Sequence, residues 1–135
     1  MLLANVAAPL MNLNQAEAAA PVTIEDKIVA KAEAAGVDGQ LAAKIAFCES
    51  SWRQFDEATG EPLRGVHNRE DVGLFQINEQ YHLAKSQALG YDIYTTDGNL
   101  DYALYLLKED GPKHWHWSKG CWNQDLEIDE IVAKK

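Results

Sequence analysis

Cys48-Glu49-Ser50-Ser51-Trp52 and, further on, Gly73-Leu74-Phe75-Gln76-Ile77-Asn78 are the stretches around which this chain is organised. Leu41, Ile45, Cys48 and Trp52 fall at helical spacing, so Glu49 belongs near the end of a helix and edges onto its buried side. A carboxyl group held against apolar side chains is costly to ionise. Its pKa then rises toward the working pH, as a general acid requires. The plain alternative is a surface glutamate at a helix end. The flanking Cys48, Ser50 and Ser51, the acidic turn Asn68-Arg69-Glu70-Asp71 and the second stretch weigh against that alternative.

With 135 residues, 47% of them hydrophobic, the chain can bury one core and is read as one domain. Twelve basic against 21 acidic residues leave a formal net charge of −9, with no basic cluster. Nucleic acid is therefore not an expected partner, because phosphate binding needs Lys and Arg on one face. Adhesion to an anionic membrane is disfavoured for the same reason. A polymer would have to be recognised through aromatics and hydrogen bonds, which four Trp and five Tyr make feasible. No apolar run is long enough to span a bilayer. No phosphate loop or zinc spacing is present, so neither cofactor nor metal is expected.

Residues 1–20 read as the remnant of a signal peptide, with a small-x-small pattern at Ala16-Glu17-Ala18, or as a disordered Ala-rich leader; the usual positive start is missing. In an exported protein Cys48 and Cys121 are most simply a disulfide, which would stabilise the fold by about 4 kcal/mol on the chain-entropy estimate. Buried free thiols and metal ligation are the alternatives.

Thr23, with Asp26 following, predicts a capped helix carrying Ile24, Ile28 and Ala32 and stopped at Gly36. Asp38 caps the helix that ends at Glu49. Asp56 to Val72 is rich in turn formers and predicts a small β-hairpin or ordered loop forming one wall of a cleft. Asn78 caps the next helix, which runs to Gly90, and Asp97 is expected to cap another, with Leu100, Ala103, Leu104 and Leu107 on one face and Gly111-Pro112 as its end. Residues 124–135 read as an acidic tail with some helical spacing at Ile128, Ile131 and Val132.

Glu49-Ser50, the Gly73–Asn78 run, Asn99 and the Trp-Ser-x-x-Cys-Trp ending at Trp122 resemble the lysozyme-like superfamily, and within it the bacterial lytic transglycosylases of the soluble-lytic type. The Cys-Glu-Ser triplet also resembles the resuscitation-promoting factors, in which the cysteine before the catalytic glutamate pairs with a C-terminal cysteine. The likeness covers roughly residues 24–122. It implies a mainly α (α+β), lysozyme-like fold with a small β-element beside a substrate cleft, over a catalytic domain at 21–123. The resemblance implies a secreted, periplasmic or cell-wall-associated protein. A monomer acting on peptidoglycan glycan strands is expected.

By that resemblance Glu49 protonates the oxygen joining N-acetylmuramic acid to N-acetylglucosamine, and Gln76, Asn78 and the Leu74-Phe75 backbone contact the sugar next to the scissile bond. Ser50 is a further substrate-side candidate, though bracing of the Glu49 loop suits it better. Phe75 is a candidate contact whose plain reading is core packing. Gln76 and Asn78 alternate with Phe75 and Ile77, which puts the polar pair on the cleft side if the segment is extended. Asp71 stands where a lysozyme-type hydrolase carries its second carboxylate, and is equally a turn residue. The Ala-Tyr-Asn segment of the larger transglycosylases is missing. Trp115, Trp117 or Tyr105 is left to shield the acid, Tyr105 and Trp117 doubling as sugar contacts. The expected activity is therefore a lytic transglycosylase. The alternatives are a muramidase that uses Asp71 and a non-catalytic glycan-binding or regulatory module.

Overall fold

A computed structural model describes Ala4 and residues 20–135 of the chain. The leader proposed for residues 1–20 lies, apart from Ala4 and Ala20, outside the described residues. The described part is mainly helical, with one small antiparallel sheet.

Helix α1 (Ile24–Ala34) opens with the expected capping box: Thr23 Oγ1 accepts from the Asp26 N–H and the Asp26 carboxylate accepts from the Thr23 N–H, both at 3.0 Å. Asp38 caps α2 (Gly39–Ser50) by accepting from the Leu41 N–H at 3.1 Å. Ala42, Ala43, Ile45 and Ala46 on α2 are fully buried. The helix stops just after Glu49 because Ser51 and Trp52 adopt φ of 54° and 60°. Such left-handed residues cannot continue a right-handed helix.

From Arg53 to Glu70 the chain is irregular, with isolated antiparallel bridges Phe55–Pro62 and Arg64–Val72. Strands β1 (Asp71–Val72) and β2 (Ile77–Asn78) then pair, Asp71 opposite Asn78 and Val72 opposite Ile77. The tight link between them depends on Gly73, at φ 71°. A Cβ there would stand 2.5 Å from the Gln54 side-chain amide, which must come this close for its Oε1 to accept from the Leu74 N–H at 2.8 Å.

Asn78 caps α3 (Glu79–Ala88), as expected. The cap of α4 (Thr96–Asp110) differs from expectation: it is Thr95, whose Oγ1 accepts from the Gly98 N–H at 3.0 Å. Asp97 instead pairs with Lys27 at 2.5 Å and with Lys31 at 3.7 Å on α1. Gly111 ends α4, and a 3-10 segment (Gly111–Ser118) leads into the short α5 (Lys119–Trp122).

The main core gathers Ile28, Ile45, Leu74, Phe75, Leu100, Tyr102, Leu106 and Trp115 from five parts of the chain. Asn99 is fully buried in it. Its Oδ1 accepts from the Phe75 N–H, and its Nδ2 donates to the carbonyls of Val72 and Ile93, each at 2.9 Å. The Cys48–Cys121 disulfide ties α2 to α5. Residues 124–135 include α6 (Ile128–Lys134), where the helical spacing lies, and its Ile128 and Ile131 bury against Phe47 beside the disulfide. Lys135 closes this contact, its Nζ donating to the Phe47 carbonyl at 3.2 Å and to Ser51 Oγ at 3.0 Å. No helix among the described residues is long and apolar enough to cross a membrane.

Candidate active site

Glu49 projects from the last turn of α2 into a cleft, half-buried. Burial pushes its carboxyl above the usual carboxylate range and the nearby negative charge of Asp71 adds to the rise, while a hydrogen bond from Ser118 and the Lys135 ammonium oppose it. The two left-handed residues behind it, Ser51 and Trp52, are stabilised by tertiary bonds. Lys135 donates to Ser51, and Trp52 Nε1 donates to the Ala43 carbonyl at 3.0 Å. Backbone conformations of this kind cost about 1–3 kcal/mol each and concentrate at functional sites.

Ser118 Oγ lies in close contact with Glu49 Oε1 and 3.2 Å from the Trp115 carbonyl. A hydroxyl has one proton to donate. With Glu49 ionised, that proton goes to the carboxylate. With Glu49 protonated, the carboxyl O–H donates to Ser118 Oγ and the serine proton turns to the Trp115 carbonyl. Neither arrangement leaves the carbonyl unpaired, since Trp122 Nε1 also donates to it at 3.0 Å. Ser118 thus serves both protonation states of the acid.

The cleft has two limbs, of about 690 Å³ and 740 Å³, which share Glu49, Asn68, Asp71, Gln76 and Trp117. Asp71, on β1, is oriented by Asn78 Nδ2, which donates to its Oδ1 at 2.9 Å. Asn78 and Gln76 both line the cleft. Gln76 arrives there by a route the alternation did not foresee: it has φ 50° and lies in the turn before β2, its Nε2 donating to the Gly73 carbonyl at 3.0 Å. Trp117 stands at the rim, 91% exposed.

Three candidates lie elsewhere. Ser50 is buried, with its Oγ 2.7 Å from the Leu74 carbonyl and 3.1 Å from that of Ala46, and it accepts from the Arg53 N–H. It fastens α2 to the Gly73–Asn78 loop rather than reaching the cleft. Phe75 is fully buried, edge-on to Trp115, so its side chain is core and not a sugar contact. Tyr105 stacks on Tyr102 and borders a different cavity with Tyr91 and Lys108. It is therefore not the shield of Glu49. Trp115 is nearly buried, donates from Nε1 to the Phe75 carbonyl at 2.8 Å and lines one limb.

Sequence reasoning missed Ser118 as a partner of the acid, although it stands inside the Trp-Ser-x-x-Cys-Trp run. It also missed the histidines: all four in the chain, His67, His82, His114 and His116, line one limb or the other. Their sequence positions carry no shared pattern. No group of three or more His, Cys, Asp or Glu among the described residues is arranged to hold a metal ion. No protein-family model, curated protein or solved structure matches this chain. The residues of the cleft therefore carry the functional assignment.

Proposed function

We propose that the chain is a peptidoglycan-cleaving lytic transglycosylase of lysozyme-like fold, cutting the β-1,4 bond between N-acetylmuramic acid and N-acetylglucosamine. One observation carries this reading: Glu49 is a half-buried carboxyl, raised in pKa, that opens onto both limbs of the cleft. No salt bridge among the described residues holds it ionised. A non-catalytic binding module would be expected to turn this group away or pair it, so the geometry favours an enzyme.

Protonated Glu49 donates to the glycosidic oxygen as the C1–O bond breaks, and the Asp71 carboxylate stabilises the positive charge that develops on the sugar. The 6-hydroxyl of the muramic acid attacks C1 to leave a 1,6-anhydro end, and its proton returns to Glu49. Acid and base are one group in this cycle, which fits the two donor arrangements open to Ser118. The exposed faces of Trp117 and Tyr81 along the cleft suit stacking against sugar rings. The disulfide suits a secreted, periplasmic or cell-wall location.

A muramidase is the second reading, favoured by the presence of Asp71 in the same cleft as Glu49. Digestion of purified peptidoglycan with the wild type and with Glu49→Gln, followed by mass spectrometry of the released muropeptides, separates the two. Anhydro ends from the wild type alone support the transglycosylase, and reducing ends support the hydrolase. If the wild type binds the polymer but releases nothing, the enzyme reading is wrong.

A further inference from the structure

His82, on α3 next to the exposed Tyr81, lines the limb of the cleft that contains Glu49 and Trp115. Its Nδ1 is 2.7 Å from the hydroxyl of Tyr102, a fully buried residue of α4. A buried phenol needs an acceptor for its proton. His82 is the one hydrogen-bond partner of the Tyr102 hydroxyl among the described residues, and no buried side-chain N or O there is left unpaired. The hydroxyl therefore donates and Nδ1 accepts.

A neutral imidazole that accepts at Nδ1 carries its proton on Nε2. Protonating Nδ1 would set two donors against each other and strand the phenol proton in the core. The surroundings work in the same direction. Burial, the His114 ring 5.2 Å away and the Lys85 ammonium hold His82 below the ordinary imidazole range, with Asp110 opposing them. Asp110 is itself paired with His114 at 2.8 Å. The phenol of Tyr102 is pushed up to about 12, so it remains a donor. Nε2 has no partner among the described residues, and since it is not an unpaired buried atom it reaches accessible space.

We infer that His82 is a substrate-binding residue of fixed tautomer, its Nε2–H donating to an oxygen of a glycan in the Glu49 cleft, with Tyr102 as the positioning residue that sets the tautomer. The choice of a glycan as ligand rests on the function proposed above. A neutral N–H suits a neutral acceptor, such as an N-acetyl carbonyl or a sugar hydroxyl.

The test uses the full chain, labelled with ¹⁵N, and an N-acetylglucosamine hexasaccharide as probe. Long-range ¹H–¹⁵N spectra should show His82 as the Nε2–H tautomer throughout roughly pH 6–8, and Tyr102→Phe should release it into a tautomer mixture that titrates. With Glu49→Gln to prevent turnover, the hexasaccharide should shift the His82 Nε2–H signal. In that background His82→Phe should weaken binding roughly fivefold to tenfold, the range of one neutral hydrogen bond, and His82→Gln, which keeps a donor, should recover most of it. A proton on Nδ1 in the wild type overturns the inference whether or not the variants fold. Binding of the probe without any response at His82 overturns it while leaving the glycan reading intact. If neither the hexasaccharide nor peptidoglycan binds, both fall together.

Discussion

Ser118 Oγ contacts the Glu49 carboxyl across a sequence separation of 69 residues, and the same oxygen lies within reach of the Trp115 carbonyl. The acid is thereby given a partner that can donate to it or accept from it. Since the serine's donation favours the ionised carboxylate, Ser118→Ala should raise the Glu49 pKa further. Glu49 must be protonated to act as an acid, so the alkaline limb of the kcat/KM profile should move to higher pH. The maximal rate should fall about tenfold as the carboxyl loses its positioning. A pH profile of peptidoglycan turnover checks both; an unmoved alkaline limb would mean that Ser118 does not act on the acid.

Asp71 acts on the same group in the opposite direction. Its charge raises the pKa of Glu49, so Asp71→Asn should shift the alkaline limb to lower pH. If Asp71 only stabilises charge, anhydro products should persist at a rate reduced roughly tenfold to a thousandfold, in the range of other electrostatic contributions. Complete loss of turnover, in a variant that still binds the glycan, would instead favour the hydrolytic reading.

Glu49 should also lower the stability of the fold at neutral pH. A carboxyl whose folded pKa lies above its unfolded value favours the folded state fully only below the unfolded value, and that contribution is lost as pH rises through the folded value. Glu49→Gln retains the acceptor for Ser118 and removes the charge. It should raise Tm by roughly 2 °C or more at pH 7, the difference shrinking toward zero at about pH 4. Thermal denaturation at the two pH values checks this. An equal gain at both would show that desolvation of the charge is not its source.

Asn99 links the strand region to α4 through its bonds to Phe75, Val72 and Ile93. Asn99→Ala leaves the buried Phe75 N–H without its acceptor and removes one donor each from the Val72 and Ile93 carbonyls, at a cost of about 1–3 kcal/mol. Urea unfolding should show the loss as a lower midpoint with an unchanged slope. Because the Phe75 backbone adjoins Gln76, glycan affinity should fall as well.

The parts of the fold that were legible in the sequence are those governed by neighbours along the chain. The caps at Thr23, Asp38 and Asn78 depend on a side-chain oxygen meeting an N–H three residues on, which sequence spacing alone specifies. The cap of α4 shows where this stops. Thr95 and Asp97 are both good capping residues; Thr95 takes the cap, while Asp97, inside the first turn, pairs with Lys27 and Lys31 on a different helix. Phe75 and Tyr105 illustrate a second limit. Aromatic side chains suit a core and a sugar equally well, and only packing against Trp115 and Tyr102 decided their places.

By itself, the sequence determined that capped helices flank a turn-rich segment, that Glu49 ends an apolar helix, and that acidic residues outnumber basic ones, 21 to 12. Each of these follows from composition or from spacing within one or two helical turns. The tertiary structure decided which groups meet Glu49: Ser118 from beyond α4, Asp71 from a two-residue strand, and Lys135 from a helix folded back over the disulfide. It also decided that His82 faces the cleft with its Nδ1 bonded to a buried phenol. Desolvation, charge proximity and the direction of a proton depend on distances through space. Segments far apart along the chain acquire those distances only when the core closes around them.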